Sequence, residues 1–163
     1  VLESISREEV TDRAWLAGII DGEGCLQLVK NESRYYAKVV VENTDPRMIQ
    51  RISQIWSRHG IKFAFQFNRR NGKRDTLVIL TTGMGSTAKA LELVLPYLSA
   101  KRDQADCLLS FIVWREDQGY HTRSIPGFTE IAEAAQAELA QLKRCNFNLQ
   151  RLQRTASQPL QVG

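Results

Sequence analysis

The residues best placed to do chemistry in this 163-residue chain are two carboxylates, Asp21 and Glu23. They flank Gly22 at the end of the apolar run Leu16-Ala17-Gly18-Ile19-Ile20, and Gly24 follows. An apolar run that closes on acids and glycines reads as a helix with oxygen donors at its tip. Hard oxygen donors suit Mg2+ or Mn2+. Helix C-capping accounts for Gly24. It does not account for Gly18, since a mid-helix glycine costs roughly 1 kcal/mol against alanine. Gly18 beside Ala17 points instead to close backbone approach by a second helix. If that helix is another copy of the first, a two-fold contact brings both Glu23 carboxylates near one axis.

The charge distribution says what such a tip would work on. The net charge is +4 and the pI about 9.1. Lys30, Arg34, Lys38, Arg47, Arg51, Arg58, Lys62, Arg69, Arg70, Lys73 and Arg74 fall in one stretch, opposed there by Glu32, Glu42, Asp45 and Asp75. A local excess of this kind makes a positive face suited to phosphates.

The elements that must position these groups are legible from periodicity. Ser6-Arg7-Glu8-Glu9 has the form of a capping box, and apolar residues from Val10 to Ile20 carry the first helix up to Gly22 and Gly24. Residues 25–30 and 35–43 read as strands joined at Asn31-Glu32-Ser33-Arg34. Ala37, Val39 and Val41 alternate with Tyr36, Lys38, Val40 and Glu42, so one face is core and the other is free. Asn43, Thr44 or Asp45 caps a second helix with Pro46 at its first position, and Gly60 ends it. A second hairpin follows, with Phe63, Phe65 and Phe67 expected in the core and an Asn71-Gly72 turn. Leu77 and Ile79 of its return strand face the core. Ser86 or Thr87 starts a third helix that Pro96 ends, a fourth runs from about Lys101 to Trp114, and an Ala-rich fifth from Thr129 to about Lys143. Residues 118–128 read as a loop and the last residues as frayed. The fold class is α+β, an αββαββα core with a four-stranded antiparallel sheet and added C-terminal helices. One domain spans 1–163, with a core at about 10–115 and an extension at about 116–155.

Other chemistries are excluded or weakened. Cys25, Cys107 and Cys145 are odd in number and widely spaced, with no C-x-x-C pair, and His59 and His121 are the only histidines. That argues against a zinc site, a disulfide framework and an acid–base histidine. Free thiols favour a reducing compartment. No uninterrupted apolar run approaches the roughly 20 residues of a membrane span, so a soluble protein with no membrane partner is expected.

Leu16-Ala17-Gly18-Ile19-Ile20-Asp21-Gly22-Glu23-Gly24 resembles the motif of the LAGLIDADG homing endonucleases nearly position for position. Leu95-Pro96-Tyr97-Leu98 followed by Lys101-Arg102-Asp103-Gln104-Ala105 is similar to the family's broken helix and its basic residue. Val41-Glu42-Asn43-Thr44-Asp45-Pro46 looks like the family's strand-to-helix junction. One motif copy resembles the homodimeric branch. The resemblance implies that Glu23 and the Gly22 carbonyl bind metal and that Lys101 stabilises charge at the scissile phosphate. It further implies that Asn43, or Thr44 if the register slips by one, orients water and that the sheet forms a DNA-binding saddle. Ala17, Gly18 and Asp21 are expected at the dimer interface, Asp21 in a structural role. The cofactor implied is Mg2+, with Mn2+ able to substitute.

The free face in this register carries Gln27, Tyr36, Lys38, Gln66, Asn68 and Thr76. Gln27, Lys38, Gln66 and Asn68 are expected to reach base edges, and Tyr36 and Val40 to pack on thymine methyls. Arg34, Arg69, Arg70, Lys73 and Arg74, near the hairpin tips, are expected to contact bases or phosphates, and Lys30 and Thr76 complete the expected DNA-binding set. Hairpin arms of about nine residues span roughly 30 Å at about 3.3 Å per residue. That reach covers nearly nine base pairs, at about 3.4 Å each. A site assembled from two subunits is then expected to be palindromic or nearly so, and the family resemblance implies that both of its strands are cut. The alternatives of different class are an RNA maturase, with RNA as partner, and a catalytically silent DNA-binding regulator. An intracellular location is expected, in an organelle or in a bacterial or phage-infected cytoplasm.

Overall fold

In a computed structural model, residues 6–32, 34–69, 72, 74–119 and 125–156 are described, with 145–156 as backbone only. The element order is α1 (Arg7–Glu23), β1 (Gly24–Asn31), β2 (Arg34–Asn43), α2 (Pro46–Arg58), β3 (Phe63–Asn68), β4 (Thr76–Thr81), α3 (Met84–Val94), a 3-10 turn (Leu95–Tyr97), α4 (Arg102–Asp117) and α5 (Phe128–Ala156). The caps explain the boundaries. Ser6 Oγ accepts from the Glu9 amide at the start of α1. Asp45 accepts from the Arg47 amide, with Pro46 at the first position of α2. The third helix begins at Met84, earlier than its Ser/Thr signal implies, with Gly83 at φ 86° as its N-cap. The hydroxyls expected to cap it are used elsewhere: Ser86 Oγ accepts from the Lys62 amide, and Thr87 is buried.

The four strands lie in the order β1-β2-β4-β3, every neighbouring pair antiparallel. β1 and β2 pair along their whole length, from Gly24 opposite Val41 to Asn31 opposite Arg34. β2 and β4 share only Val40 to Asn43 against Leu80 to Leu77. Below that junction the ladder gives way to side chains. Thr81 Oγ1 accepts from the Val39 amide at 3.0 Å, and Thr87 Oγ1 donates to the Ala37 carbonyl at 2.9 Å. The two hydroxyls meet at 2.7 Å. Two buried threonines thus satisfy the backbone groups that β4 leaves unpaired, as burial requires. The hairpins are unequal: β2 has ten residues, while β3 and β4 have six each. The shorter strands reach roughly 20 Å rather than the 30 Å expected of both arms.

All the helices that pack on the sheet cover one face. Leu26, Leu28, Ala37, Val39, Val41 and Ile79 meet Leu16 and Ile20 of α1, Ile52, Ile55 and Trp56 of α2, and Leu91 and Val94 of α3 in one core. Each fully buried side chain of this size contributes about 1.5–3 kcal/mol. The fifth helix runs past its expected end near Lys143 to Ala156 and lies along the outer edge of β1. There Gln136 Nε2 donates to the Leu28 carbonyl at 2.9 Å. A sheet edge otherwise open to another strand is closed in this way.

Candidate functional site

The end of α1 and the start of α4 are stapled together by one carboxylate. Asp21 Oδ2 accepts from the Ser99 amide at 2.8 Å and Oδ1 from the Lys101 amide at 2.9 Å. A carboxylate at the amino end of α4 is also favoured by the helix dipole. Lys101 returns the contact: its Nζ donates to the Ile20 carbonyl at 2.9 Å and to the Asp21 carbonyl. Both carbonyls lie in the last turn of α1, where the Ile20 carbonyl also accepts from the Gly24 amide at the C-cap. Burial pushes the Lys101 amine below its usual value, against the opposing pull of Asp21, Cys25 and Glu23.

Glu23 lies on the exposed tip of α1, and Gly22 beside it is exposed too. Among the described residues the Glu23 carboxylate takes no hydrogen bond or ion pair, so its oxygens are available. Glu23 and the Gly22 carbonyl are hard oxygen donors, and no hydrogen bond occupies the acid, so the residues fit a divalent cation. No group of three His, Cys, Asp or Glu among the described residues encloses an ion. A cation here would take its remaining ligands from water, phosphate or a second chain.

Glycine is required at position 24, where a Cβ would lie 2.6 Å from the Ile20 carbonyl oxygen. At Gly18 and Gly22 an added Cβ meets nothing within 4 Å. Gly18 is exposed, whereas Ala17 is 0% exposed and belongs to the core of its own subunit. Ala17 therefore leaves the set expected at a subunit interface. Asn43 lies two residues beyond the Gly24–Val41 pair, and its Oδ1 accepts from the Asp45 amide at 2.8 Å. That contact gives Asn43 a turn-forming role ahead of α2.

Gln27, Tyr36, Lys38, Val40, Gln66 and Asn68 share the uncovered face, with Gln27 opposite Lys38 and Gln66 opposite Val78. Arg34 stands on that face opposite Asn31, and Arg74 is exposed just before β4. Arg70 and Lys73 lie outside the described residues. Two expectations change. Lys30 has the parity of Leu26 and Leu28, so it sits on the helix side, where it donates to Glu133 of α5 at 2.9 Å. Thr76 is only 8% exposed and donates to the Glu42 carboxylate, which Asn68 also approaches at 3.4 Å. The face is also less uniformly polar than its sequence pattern implies. Cys25, Val40 and Leu80 form an apolar middle, with Leu80 and Val78 covered by cross-strand neighbours.

Three features were not read from the sequence. Lys143 of α5 comes to 3.9 Å from Cys25 Sγ, close enough for its charge to bear on Lys101. Contacts between residues this far apart in the chain leave no local signal. Phe65 and Phe67, expected in the core, are 56% and 55% exposed. β3 is an edge strand, and only Phe63 at its start reaches Trp56 of α2, with ring centroids 6.0 Å apart. Asp12 on α1 is ion-paired with both Arg51 and Arg58 of α2. Burial raises its pKa, but the two arginines more than offset that and leave it below the usual value.

A four-stranded antiparallel sheet with helices on one face is a fold also found among solved structures. This chain superposes with a TM-score of 0.66 and 24% identity on the homing endonuclease I-CvuI in complex with the I-CreI target, covering 84% of this chain and 85% of that one. On the archaeal intron-encoded homing endonuclease I-Vdi141I complexed with DNA the TM-score is 0.65 at 14% identity, covering 82% and 85%. In sequence it is 34% identical over 109 residues to DNA endonuclease I-CvuI of Chlorella vulgaris. That match spans 61% of this chain and 62% of the relative's length. Residues 11–94 match the LAGLIDADG-like domain, and the chain belongs to that family.

Proposed function

We infer that this chain is a homing endonuclease that, as a homodimer, makes a double-strand break in a long, near-palindromic DNA site with Mg2+. Mn2+ substitutes in this reading. The observation that carries it is the division of labour at the α1 tip. Asp21 is held by two amides and Lys101 by two carbonyls, while Glu23 remains unpaired and exposed. Family membership and the endonuclease names of the relatives support the same reading. Exposed Gly18, with open space where a methyl would be, supports close approach of a second copy of α1.

In this mechanism Glu23 and the Gly22 carbonyl would hold the cation, which would supply activation of a water and stabilisation of the leaving oxygen in phosphodiester hydrolysis. Lys101 is fixed with its ammonium at the carboxyl end of α1, where it faces developing phosphate charge without having to reorganise. The face carrying Gln27, Lys38, Gln66 and Asn68 reads base edges in the major groove. Arg34, Arg70, Lys73 and Arg74 hold the backbone beside it. Selection of cleaved sequences from a randomised duplex library in Mg2+, Mn2+ or Ca2+ tests activity, symmetry and metal use together. The Glu23→Gln variant is expected to bind the selected site about as well as the parent and to leave it uncut. Cleavage at the parental rate by that variant would remove Glu23 from the reaction.

A further inference from the structure

The cleavage reading leaves one half-buried cation beside the α1 tip without a task. Lys143 of α5 holds its Nζ 3.9 Å from Cys25 Sγ, and Cys25 follows directly on Glu23-Gly24. The path of α5 puts it there. Glu133, Gln136 and Lys143 are spaced by three and then seven residues, so they share one face of the helix. Glu133 meets Lys30 at 2.9 Å, Gln136 meets the Leu28 carbonyl at 2.9 Å, and Lys143 meets Cys25. The helix thus runs antiparallel to β1, from the hairpin tip toward the end of α1. Its rise from Glu133 to Lys143 is roughly 15 Å at about 1.5 Å per residue, and β1 covers roughly 16 Å from Lys30 to Cys25 at about 3.3 Å per residue. Leu139, buried between them in sequence, fixes this stretch of α5 against the core. Position 143 is therefore delivered by a packed element rather than by a loop.

The contact that receives this ammonium is a poor one. A thiol is a weak acceptor, and among the described residues no carboxylate pairs with Lys143. A fully solvated lysine needs no partner, but this side chain is half-buried. Lys143 also adds to the burial that keeps the Lys101 amine below its usual value, so the two cations act at one corner. On the reading of Glu23 given above, the anion that reaches this corner is the phosphate being cut. We propose that Lys143 is a second catalytic lysine, whose ammonium donates to a non-bridging oxygen of that phosphate while Lys101 acts from the end of α1. It stabilises the charge that develops on the phosphate and gives up no proton. The inference rests on the cleavage reading. Lys143 lies outside residues 11–94, so the family match does not supply this role.

The test compares Lys143→Met, which keeps an apolar stem and loses the charge, with Lys143→Arg, both in the full chain on the duplex selected with the parent. At saturating enzyme with Mg2+, the single-turnover rate of Lys143→Met should fall about 10- to 150-fold, the range for losing a hydrogen bond to a charged group. Lys143→Arg should keep most of the parental rate. Binding of the same duplex is followed by anisotropy in EDTA across a salt series, apart from catalysis. There the slope of log affinity against log salt should flatten by about 0.9 for each phosphate contact that Lys143→Met loses, and Lys143→Arg should keep the parental slope. Thermal unfolding of both variants should match the parent. The inference is overturned if Lys143→Met cuts at the parental rate, or if its rate falls with the salt slope unchanged. It is equally overturned if the slope flattens while the rate holds, which would make Lys143 a backbone contact only, or if Lys143→Arg is as slow as Lys143→Met. Parental cutting by Lys143→Met beside an inactive Glu23→Gln would sink this inference and leave the cleavage reading standing. A parent that cuts no duplex in the library would end both.

Discussion

Replacing Gly18 by alanine should push the subunit and its assembly in opposite directions. Within one chain the substitution is benign. The position is mid-helix, exposed, and a Cβ there meets nothing within 4 Å. Alanine then recovers the helix-propensity difference, about 0.8–1.0 kcal/mol. For a chain of this size that raises the unfolding midpoint by about 2–4 °C. At a two-fold seam the same substitution adds two methyl groups at once, because a C2 contact uses the same patch twice. Overpacking of that kind costs about 1–3 kcal/mol. On dimer dissociation this is about 5- to 150-fold in Kd. Scanning calorimetry at a concentration where the protein is monomeric should show the gain, and sedimentation equilibrium across a concentration series should show the loss. DNA cleavage should fall with dimer occupancy. A variant that is more stable as a monomer and dimerises as tightly as the parent would refute the close helix approach, and with it the reading of Gly18.

Gly24→Ala should behave differently, since its methyl would meet the Ile20 carbonyl oxygen at 2.6 Å and the Ile20 Cα at 2.8 Å. A loss of about 1–3 kcal/mol in urea unfolding is expected whatever the oligomeric state. Thr87→Val keeps the shape but leaves the Ala37 carbonyl without its buried donor, and should cost about 1–3 kcal/mol in the same assay. Asp12→Asn tests the ion pairs between α1 and α2. A carboxylate held below its ordinary 3.8 contributes stability fully present above that pH and lost as the pH falls through the folded-state value. The parent should therefore be the more stable protein near neutrality, and in acid unfolding the difference should begin to shrink as the pH falls below about 3.8 and vanish only below the folded-state value. The gap should be modest, because Arg51 and Arg58 are about half exposed and solvent screens them.

Much of the fold was legible because it is written in local periodicity. Alternation along Tyr35–Val41 and helical spacing from Met48 to Trp56 specify a strand and a helix with little help from elsewhere. The errors fall where distant chain segments decide. Phe63, Phe65 and Phe67 alternate like core residues, but whether a core exists above them depends on how far α2 extends. It reaches only Phe63. Lys30 alternates onto the helix side, yet its charge alone suggested the phosphate face. Its partner Glu133 lies on a helix that no pattern places against β1. Ala17 and Gly18 are adjacent and both small, but one helical step of about 100° separates a core position from a solvent one.

That same angular logic explains how two acids of one short motif come to do different work. Asp21 and Glu23 are two positions apart on α1, so they point about 200° apart around its axis and cannot share one ligand. Asp21 falls on the side of the turn between Tyr97 and Arg102, and there it satisfies two amides at the start of α4. Fixing that turn positions the Lys101 backbone, and the Lys101 ammonium then closes on the Ile20 and Asp21 carbonyls in the last turn of α1. The loop of contacts is mutual: acid to amide, ammonium to carbonyl. Its effect is to hold the helix tip rigid up to the residue before Gly22. Glu23 lies beyond the last of these contacts and outside the core, where its carboxylate is available. A motif with one acid would have to choose between a fixed tip and a free ligand. Two acids at this spacing supply both.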